Sequence, residues 1–293
     1  MLVSSVLDLV GGTPLVLLGK FSSEDVKIYA KLEYMNPSGS IKDRIIIKML
    51  RTAEMSKALD RGKVLVEPTS GNTGLALALI GSYLGYRVTV VVPRDISREK
   101  KELLRVLGAE IMEVEDEERA FTFARELVEK YPDRYFMLNQ FENEMNIVAH
   151  YMGTAREIWN ELRGNIDYVV VGIGTAGTIM GLARFFKERK PEIRIIGVVP
   201  ERAYEIDGTV NSKVFKPPLL DERYIDEVIP VSRKNAVEMM IRLAREEGIL
   251  AGISSGAALY VAVEISKRVE KGNIVIICAD NIYRYIHELM GEE

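Results

Sequence analysis

The chain has few residues that cross-link a fold or bind metals. Its 293 residues include one cysteine and two histidines. The cysteine, Cys278, has no partner for an internal disulfide and suits a reducing compartment. Because it follows the apolar run 274–277, we expect an inert buried thiol there and predict no metal site.

Long apolar runs and strong net charge are missing too. No stretch approaches the length of a membrane span, and the N-terminus lacks the order of a signal peptide, so we expect a cytoplasmic protein without membrane contact. A net charge of -4, with 28% charged and 47% hydrophobic residues, indicates a soluble globular protein without the basic face that nucleic acid requires. A single glutamine among many Glu and Lys residues hints at a thermophile.

Apolar runs alternate with amphipathic stretches from residue 63 onward. The first series predicts strands near 63–67, 87–92, 110–114 and 135–138, and helices near 73–84, 97–107 and 117–130. The second predicts strands near 168–171, 193–199, 227–231 and 274–278, again with helices between them. Two such series predict two α/β lobes with parallel sheets and a cleft between them. Residues 201–223 predict a long loop, and loops of that length are often functional.

A lysine stands at a predicted helix start in residues 36–44, Asn-Pro-Ser-Gly-Ser-Ile-Lys-Asp-Arg. Ser40 and Asp43 have the spacing of a capping box, which places Lys42 in the first helical turn. The helix dipole and Arg44 would oppose the positive charge of Lys42 and lower its pKa. A lysine that forms a Schiff base with a carbonyl group needs such a pKa. The alternative is an ordinary solvated lysine.

Residues 68–74 read Pro-Thr-Ser-Gly-Asn-Thr-Gly between a predicted strand and a predicted helix. Backbone N–H groups and short hydroxyls at a helix N-terminus can bind a carboxylate or another anion. The segment therefore predicts an anion site, and the alternative is a plain capping turn.

Residues 172–178, Gly-Ile-Gly-Thr-Ala-Gly-Thr, follow another predicted strand and open a helix. They match G-x-G-x-x-G formally, and Glu201 ends the next predicted strand. The match permits a dinucleotide site, but the same geometry serves any phosphate monoester.

Small residues also open the helix that begins near residue 252, in Gly-Ile-Ser-Ser-Gly-Ala-Ala at 252–258. A hydroxyl backed by Gly and Ala could contact a planar ring lying close to the backbone. The alternative is a helix cap formed by Ser254 or Ser255.

Taken together and in order, these motifs resemble the cysteine synthase (O-acetylserine sulfhydrylase) and cystathionine β-synthase family of fold-type-II pyridoxal-phosphate enzymes. The resemblance covers nearly the whole chain. It also takes in 11–15 (Gly-Gly-Thr-Pro-Leu), 139–143 (Asn-Gln-Phe-Glu-Asn), 150–151 (His-Tyr) and 157–159 (Glu-Ile-Trp).

The resemblance implies a role for each matching residue. It implies that Lys42 forms the covalent bond to pyridoxal phosphate. Asn72 would hydrogen-bond the cofactor's phenolic oxygen, and Ser254 would face its pyridine nitrogen. The implied phosphate-binding residues are Gly174, Thr175, Ala176, Gly177 and Thr178. The implied substrate-binding residues are Thr69, Ser70, Gly71, Thr73 and Gln140. Lys42 would also act as general base, and the neutral hydroxyl of Ser254 would favour elimination over transamination or racemisation.

The family's fold is α/β with two three-layer αβα lobes of mostly parallel sheets, like the tryptophan synthase β subunit, and the cofactor lies between the lobes. The resemblance implies a smaller, mobile lobe at 38–147 and a larger lobe at 1–37 plus 148–293. It also implies a homodimer whose other partners are small molecules, a serine derivative and sulfide.

Three departures from the family pattern leave the substrate open. Ala176 replaces a glycine, which is harmless only if its φ is negative. The family's long Gly-rich stretch is missing from 206–213, and 280–285 reads Asp-Asn-Ile-Tyr-Arg-Tyr in place of Asp-Ser-Gly-Glu-Arg-Tyr. O-acetylserine is the first expectation. O-phosphoserine would need a basic partner such as Arg202, Lys213 or Lys216, and serine is the third candidate.

Other activities remain as alternatives. Within the fold, a serine or threonine dehydratase is a rival, and a catalytically silent binding homologue is another. From a different class, an NAD-binding oxidoreductase would use 172–177 but would leave Lys42 and the Asn72 segment unexplained.

Overall fold

The computed structural model describes residues 2–69, 71–202, 205–210 and 215–286. The strands are β1 Leu15–Leu17, β2 Val26–Leu32, β3 Val64–Pro68, β4 Arg87–Pro93, β5 Glu110–Val114, β6 Tyr135–Met137, β7 Tyr168–Gly172, β8 Arg194–Pro200, β9 Glu227–Val231 and β10 Gly272–Cys278. The α-helices are α1 Lys42–Met55, α2 Asn72–Tyr83, α3 Arg98–Val106, α4 Glu117–Lys130, α5 Met145–His150, α6 Arg156–Leu162, α7 Gly177–Arg189, α8 Arg233–Glu247 and α9 Ile253–Ser266. A π-helical turn, Tyr151–Ala155, joins α5 to α6.

The strands form two sheets. Six strands pair in the order β1-β2-β10-β7-β8-β9, and four pair in the order β5-β4-β3-β6. Every pair is parallel except β1 with β2. In a parallel sheet the carboxyl ends of the strands meet at one edge. The turns after the neighbouring strands β7 and β10 therefore lie side by side, while the turn after β3 lies at the corresponding edge of the other sheet.

Each sheet is covered on both faces, as parallel strands require. On the six-stranded sheet, one apolar cluster includes α8 and α9 and the other includes α7. On the four-stranded sheet, one cluster includes α1 and α2 and the other includes α4. The predicted fold class, two three-layer α/β units with mostly parallel sheets, is confirmed.

All eight predicted strands are present, with ends within two residues of the prediction. The strands β1 and β2 were not predicted. Lys27 and Lys31 interrupt the apolar pattern of β2, yet the Lys31 side chain is fully buried, with its ammonium 3.0 Å from Glu157 and 3.1 Å from Glu161. A hydropathy pattern treats every lysine as exposed, so it cannot identify a strand that contains a buried, ion-paired lysine. The predicted loop 201–223 has no helix or strand in its described part except a 3-10 turn, Glu222–Tyr224.

Within the described residues, no helix is long and apolar enough to cross a membrane.

Candidate active site

The starts of α1 and α9 meet at the turn that follows β10. The amide of Ile41 donates to the carbonyl of Ala279 at 2.8 Å, and Ser40 forms an isolated bridge with Asp280. The amide of Gly252 donates to the carbonyl of Asp280 at 2.9 Å. Two predicted segments, 36–44 and 252–258, are therefore joined through Ala279 and Asp280, at the start of the segment 280–285 that departs from the family pattern.

Lys42 lies in the first turn of α1, as predicted, but the capping differs. Ile41 occupies the cap position, and the Ser40 hydroxyl accepts from the Lys42 amide at 3.3 Å. The carboxylate of Asp43 accepts instead from the amide of Ser38 at 2.7 Å and from the Ser38 hydroxyl. The predicted Ser40–Asp43 box is wrong because the tight 37–40 turn brings the Ser38 amide, rather than that of Ser40, to Asp43.

Burial of the Lys42 amine lowers its pKa to about 8, and the charge of Asp280 opposes that shift. A lowered pKa was predicted, but the contribution predicted for Arg44 was wrong. The Arg44 guanidinium binds Glu33 at 2.5 Å and Glu157 at 2.7 Å, so its charge is neutralised. Removal from water is the main cause of the shift.

Asp280 connects the lysine region to the segment 68–74. Its carboxylate accepts from Asn72 Nδ2 and from the Tyr285 hydroxyl, each at 2.7 Å. Burial raises the pKa of Asp280. Asn72 Oδ1 and Asp280 Oδ1 are both buried and have no hydrogen-bond partner among the described residues. Asp280 Oδ1 packs against Gly252. Buried polar atoms are nearly always paired, so Asn72 Oδ1 marks a place where a polar ligand group fits.

The predicted substrate residues form a second group of contacts. The Thr73 hydroxyl donates to Gln140 Oε1 at 2.7 Å. The Thr69 amide donates to the Val91 carbonyl at 3.1 Å, and Gly71 is exposed. Ser70 lies outside the described residues. The structure thus brings the turn before α2 to the segment after β6, as a shared carboxylate site would require.

A buried glutamate that the sequence analysis missed holds the Gln140 segment. Glu67, in β3, accepts from the amides of Asn139 and Gln140 at 3.1 Å each. Burial raises the pKa of this carboxyl to about 7, while the amide donors oppose the shift. In the sequence, Glu67 ends a predicted strand, and nothing in the pattern shows whether a residue at that position is buried or exposed.

The turn from β7 to α7 presents backbone amides. The amides of Gly174, Thr175 and Ala176 have no acceptor among the described residues. A side chain at position 174 would meet the Gly208 carbonyl oxygen at 2.3 Å, so the backbone of Gly208 packs directly on the turn. Free amides at the N-terminus of a 13-residue helix form a site for an anion such as a phosphate.

Ala176 has a φ of 68°. The condition under which the substitution of the family's glycine would be harmless is therefore not met. A left-handed conformation costs a residue with a Cβ about 1–2 kcal/mol. The chain retains the turn geometry despite that cost.

Residues of the motifs 172–178 and 252–258 line one small cavity. Thr178 and Ser254 line it together with Gly172 and Ala279. The Ser254 hydroxyl has no hydrogen-bond partner in the described part of the chain, and Ser254 is not the helix cap, because Gly252 occupies that position. Thr178 Oγ1 lies 3.2 Å from Nε2 of His150, whose pKa is lowered well below its usual range by burial.

Of the basic residues proposed for a phosphate leaving group, the two described ones, Arg202 and Lys216, do not line this cavity. The Arg202 side chain is 85% exposed, and the Lys216 ammonium pairs with Glu222 at 3.1 Å. Lys213 lies outside the described residues. Nearby, Phe215 packs edge-on against Phe141, next to Gln140, with ring centroids 5.7 Å apart.

Comparison with known proteins decides the family. The family model described as pyridoxal-phosphate dependent enzyme matches residues 6–280. The chain belongs to this family. Cysteine synthase from Aquifex aeolicus is 41% identical, over 96% of this chain and 90% of that protein. Cystathionine beta-synthase from Dictyostelium discoideum is 36% identical over 100% of this chain, which spans 63% of that longer protein. The crystal structure of a hydrogen sulfide-producing enzyme from Fusobacterium nucleatum has a TM-score of 0.93 at 35% identity, over 97% of this chain and 98% of that chain.

The residues present fit pyridoxal phosphate. Free amides at Gly174, Thr175 and Ala176 suit its phosphate. The unpartnered oxygen of Asn72 and the hydroxyl of Ser254, which lines the cavity, suit polar groups of its ring. Lys42 supplies an amine that is more readily deprotonated than a solvated lysine. The alternative of an NAD-binding oxidoreductase is wrong, since residues 6–280 match a family with a different cofactor.

Proposed function

We propose that this pyridoxal-phosphate enzyme makes L-cysteine by β-replacement on O-acetyl-L-serine. The Cβ–O bond to acetate breaks, a Cβ–S bond to hydrosulfide forms, and acetate leaves. One observation carries the proposal: the buried amine of Lys42, with a pKa of about 8, shares the turn around Asp280 with Asn72 and the start of α9. The likeness to a cysteine synthase over 96% of the chain supports it.

We propose that the residues have the roles that the family resemblance implies. Lys42 binds the cofactor, Asn72 and Ser254 contact its ring, and the turn 174–178 holds its phosphate. Thr69, Ser70, Gly71, Thr73 and Gln140 bind the substrate carboxylate. When bound, pyridoxal phosphate supplies an electron sink next to the substrate α-carbon.

The protein's own part in the reaction is positioning and proton transfer. Lys42 Nζ takes the proton from the substrate α-carbon and returns it after sulfur has added. A pKa of about 8 suits this role, since a general base works best near the operating pH. Amide and hydroxyl donors of the segment 69–73 orient the substrate carboxylate, and its closure excludes water.

A comparison of three donors tests the proposal. Purified enzyme is given sulfide with O-acetyl-L-serine, O-phospho-L-serine or L-serine, and cysteine formation is measured. We expect the highest kcat/KM with O-acetyl-L-serine, because neither Arg202 nor Lys216 lines the cavity to neutralise a phosphate. Serine, with its poorer leaving group, ranks below it. Failure of all three donors with colour-confirmed holoenzyme would refute the sulfhydrylase function.

We further propose that residues 38–147 form a smaller lobe that moves against 1–37 plus 148–293. The support is that the four-stranded sheet falls within the smaller span. At α3 the two spans are joined by an exposed contact, Lys100 Nζ to Asp207 at 3.5 Å, whereas buried ion pairs of Arg44 with Glu33 and Glu157 join α1 to the larger span. Small-angle scattering with and without an unreactive amino acid would detect the closure.

We also propose that the protein is a homodimer, that it is located in the cytoplasm, and that its source is a thermophile. The family resemblance supports the dimer, and the bias toward Glu and Lys over glutamine supports the thermophile. Sedimentation velocity of the purified protein tests the dimer, and thermal unfolding tests the heat stability.

A further inference from the structure

Asn146 joins the predicted substrate segment to the predicted phosphate turn. It is 1% exposed and lies in α5. Its Nδ2 donates to the carbonyl of Gln140 at 2.8 Å and to the Thr175 hydroxyl at 2.9 Å. A side-chain amide carries two N–H groups, so both bonds can form at once.

Packing leaves the Asn146 side chain no room to move. A Cβ at Gly177 would lie 1.8 Å from Asn146 Oδ1, which means that this oxygen rests against the first residue of α7. The same oxygen is buried without a partner among the described residues. Leaving an amide oxygen unpaired costs free energy. At Asn146 this cost accompanies the two hydrogen bonds of the amide nitrogen, to Gln140 and to Thr175.

The bond to Thr175 fixes the direction of its hydroxyl. Thr175 Oγ1 accepts from Asn146 Nδ2 and, at 3.4 Å, from the amide of Gly177. A hydroxyl has two acceptor sites and one donor hydrogen. With both acceptor sites occupied by N–H groups, the hydrogen is left to donate to an anion in the turn.

The Gln140 segment is restrained on its other sides. Glu67 accepts from its backbone amide at 3.1 Å, and Thr73 donates to its side chain at 2.7 Å. A shift of this segment on carboxylate binding would therefore act on Asn146 and, through it, on the Thr175 hydroxyl.

We propose that Asn146 is a positioning residue that couples binding of the substrate carboxylate to binding of the cofactor phosphate. This inference depends on the roles proposed above for Gln140 and the turn 174–178. Because the fixed Asn146 side chain links the two segments, a ligand that shifts one of them changes the position of the other, and such coupling is reciprocal.

A double-mutant cycle tests the coupling with the holoenzyme and L-alanine, an amino acid without a leaving group. The readout is the dissociation constant of L-alanine from the change in visible absorbance. Thr175→Val removes the hydroxyl and keeps the shape of the side chain. We expect it to weaken L-alanine binding about 3-fold to 10-fold in the native background, which is the effect of about one hydrogen bond, and not to weaken it further with Asn146→Ala. Equal factors in the two backgrounds would overturn the proposal.

Asn143→Ala is the matched control. Asn143 lies in the same segment, its side chain donates to the Leu138 carbonyl at 2.9 Å, and within the described residues that side chain makes no hydrogen bond to the turn 174–178. In the Asn143→Ala background, Thr175→Val should keep its full effect. If Asn146→Ala does not fold, Asn146→Ser takes its place.

Asn146→Asp adds a second readout, the cofactor affinity of the apoenzyme. We expect this affinity to fall more than 10-fold, because a carboxylate would accept the Thr175 hydroxyl hydrogen and repel phosphate. Unchanged affinity would contradict the proposal. Cysteine synthesis enters neither measurement, so a wrong donor assignment would not affect the result.

Discussion

Two turns in this protein have the same local design but different restraints. Both the turn 68–72, before α2, and the turn 173–176, before α7, lead from the carboxyl end of a parallel strand into a helix. In the second, Ile173, Thr175 and Ala176 are buried. In the first, Gly71 is exposed, and a side chain there would meet no atom within 4 Å.

The difference matches the two ligands proposed for the turns. A cofactor that stays bound is served by a turn built in advance, because a rigid site loses little freedom on binding. A substrate that enters and leaves in each cycle is served by a turn that is held mainly at its helix end. There, Thr73 donates a hydrogen bond to Gln140 and Asn72 donates one to Asp280. Each prediction below tests this contrast or the lysine that serves both ligands.

The largest effect is expected at Lys42, which serves cofactor and substrate alike. Lys42→Ala should lower kcat by about 10³-fold or more, the range for loss of a general base, and should abolish covalent retention of the cofactor. Lys48→Ala, on the same helix, is the control and should keep both. Steady-state kinetics and absorbance of dialysed protein provide the measurement, and normal turnover by Lys42→Ala would remove the lysine from the mechanism.

Adding one methyl group to each turn probes the contrast directly. In Gly177→Ala the new Cβ would lie 1.8 Å from Asn146 Oδ1, and we expect a loss of about 1–3 kcal/mol in the free energy of unfolding through overpacking. In Gly71→Ala we expect a change within about 0.5 kcal/mol. Denaturant unfolding of both apoenzymes measures the difference. Equal losses would mean that the two turns are equally constrained.

Removing a methyl group from the phosphate turn should stabilise it. Ala176 has a φ of 68°, so Ala176→Gly should raise the free energy of unfolding by about 1 kcal/mol. Ala183→Gly, inside α7, should lower it by about 1 kcal/mol or more. A denaturation midpoint that falls in both variants would show that position 176 is not strained.

The smallest effect concerns pH. Because burial lowers the pKa of Lys42 to about 8, more of its amine is neutral and reactive as the pH rises, and cofactor uptake by the apoenzyme should accelerate through about pH 8 to a plateau. The charge of Asp280 raises that pKa, so Asp280→Asn should move the midpoint to lower pH, and Asp133→Asn, at an exposed site, should not. Stopped-flow absorbance checks this, and a shift to higher pH would contradict the assignment.

The sequence predicted most of the fold because eight of the ten strands in the described part of the chain are largely apolar runs separated by longer helical stretches. It missed β1 and also β2, in which Lys31 is buried with carboxylate partners. At the site, order along the chain placed Lys42, Thr73, Thr178 and Ser254 on helix starts. Pattern alone could not find Asp280, Glu67 or Asn146, since their importance comes from contacts between residues as far as 208 positions apart. The predicted pKa shift of Lys42 was right in direction, but its cause required knowing that Arg44 is already paired.

The central claim is that Lys42 holds pyridoxal phosphate while the turn 174–178 binds its phosphate. Borohydride reduction of the holoenzyme, followed by proteolysis and mass spectrometry, tests it most directly. We predict the mass of the reduced cofactor on the peptide that contains Lys42 and on no other lysine peptide. Modification elsewhere, or a protein that takes up no cofactor, would contradict the account.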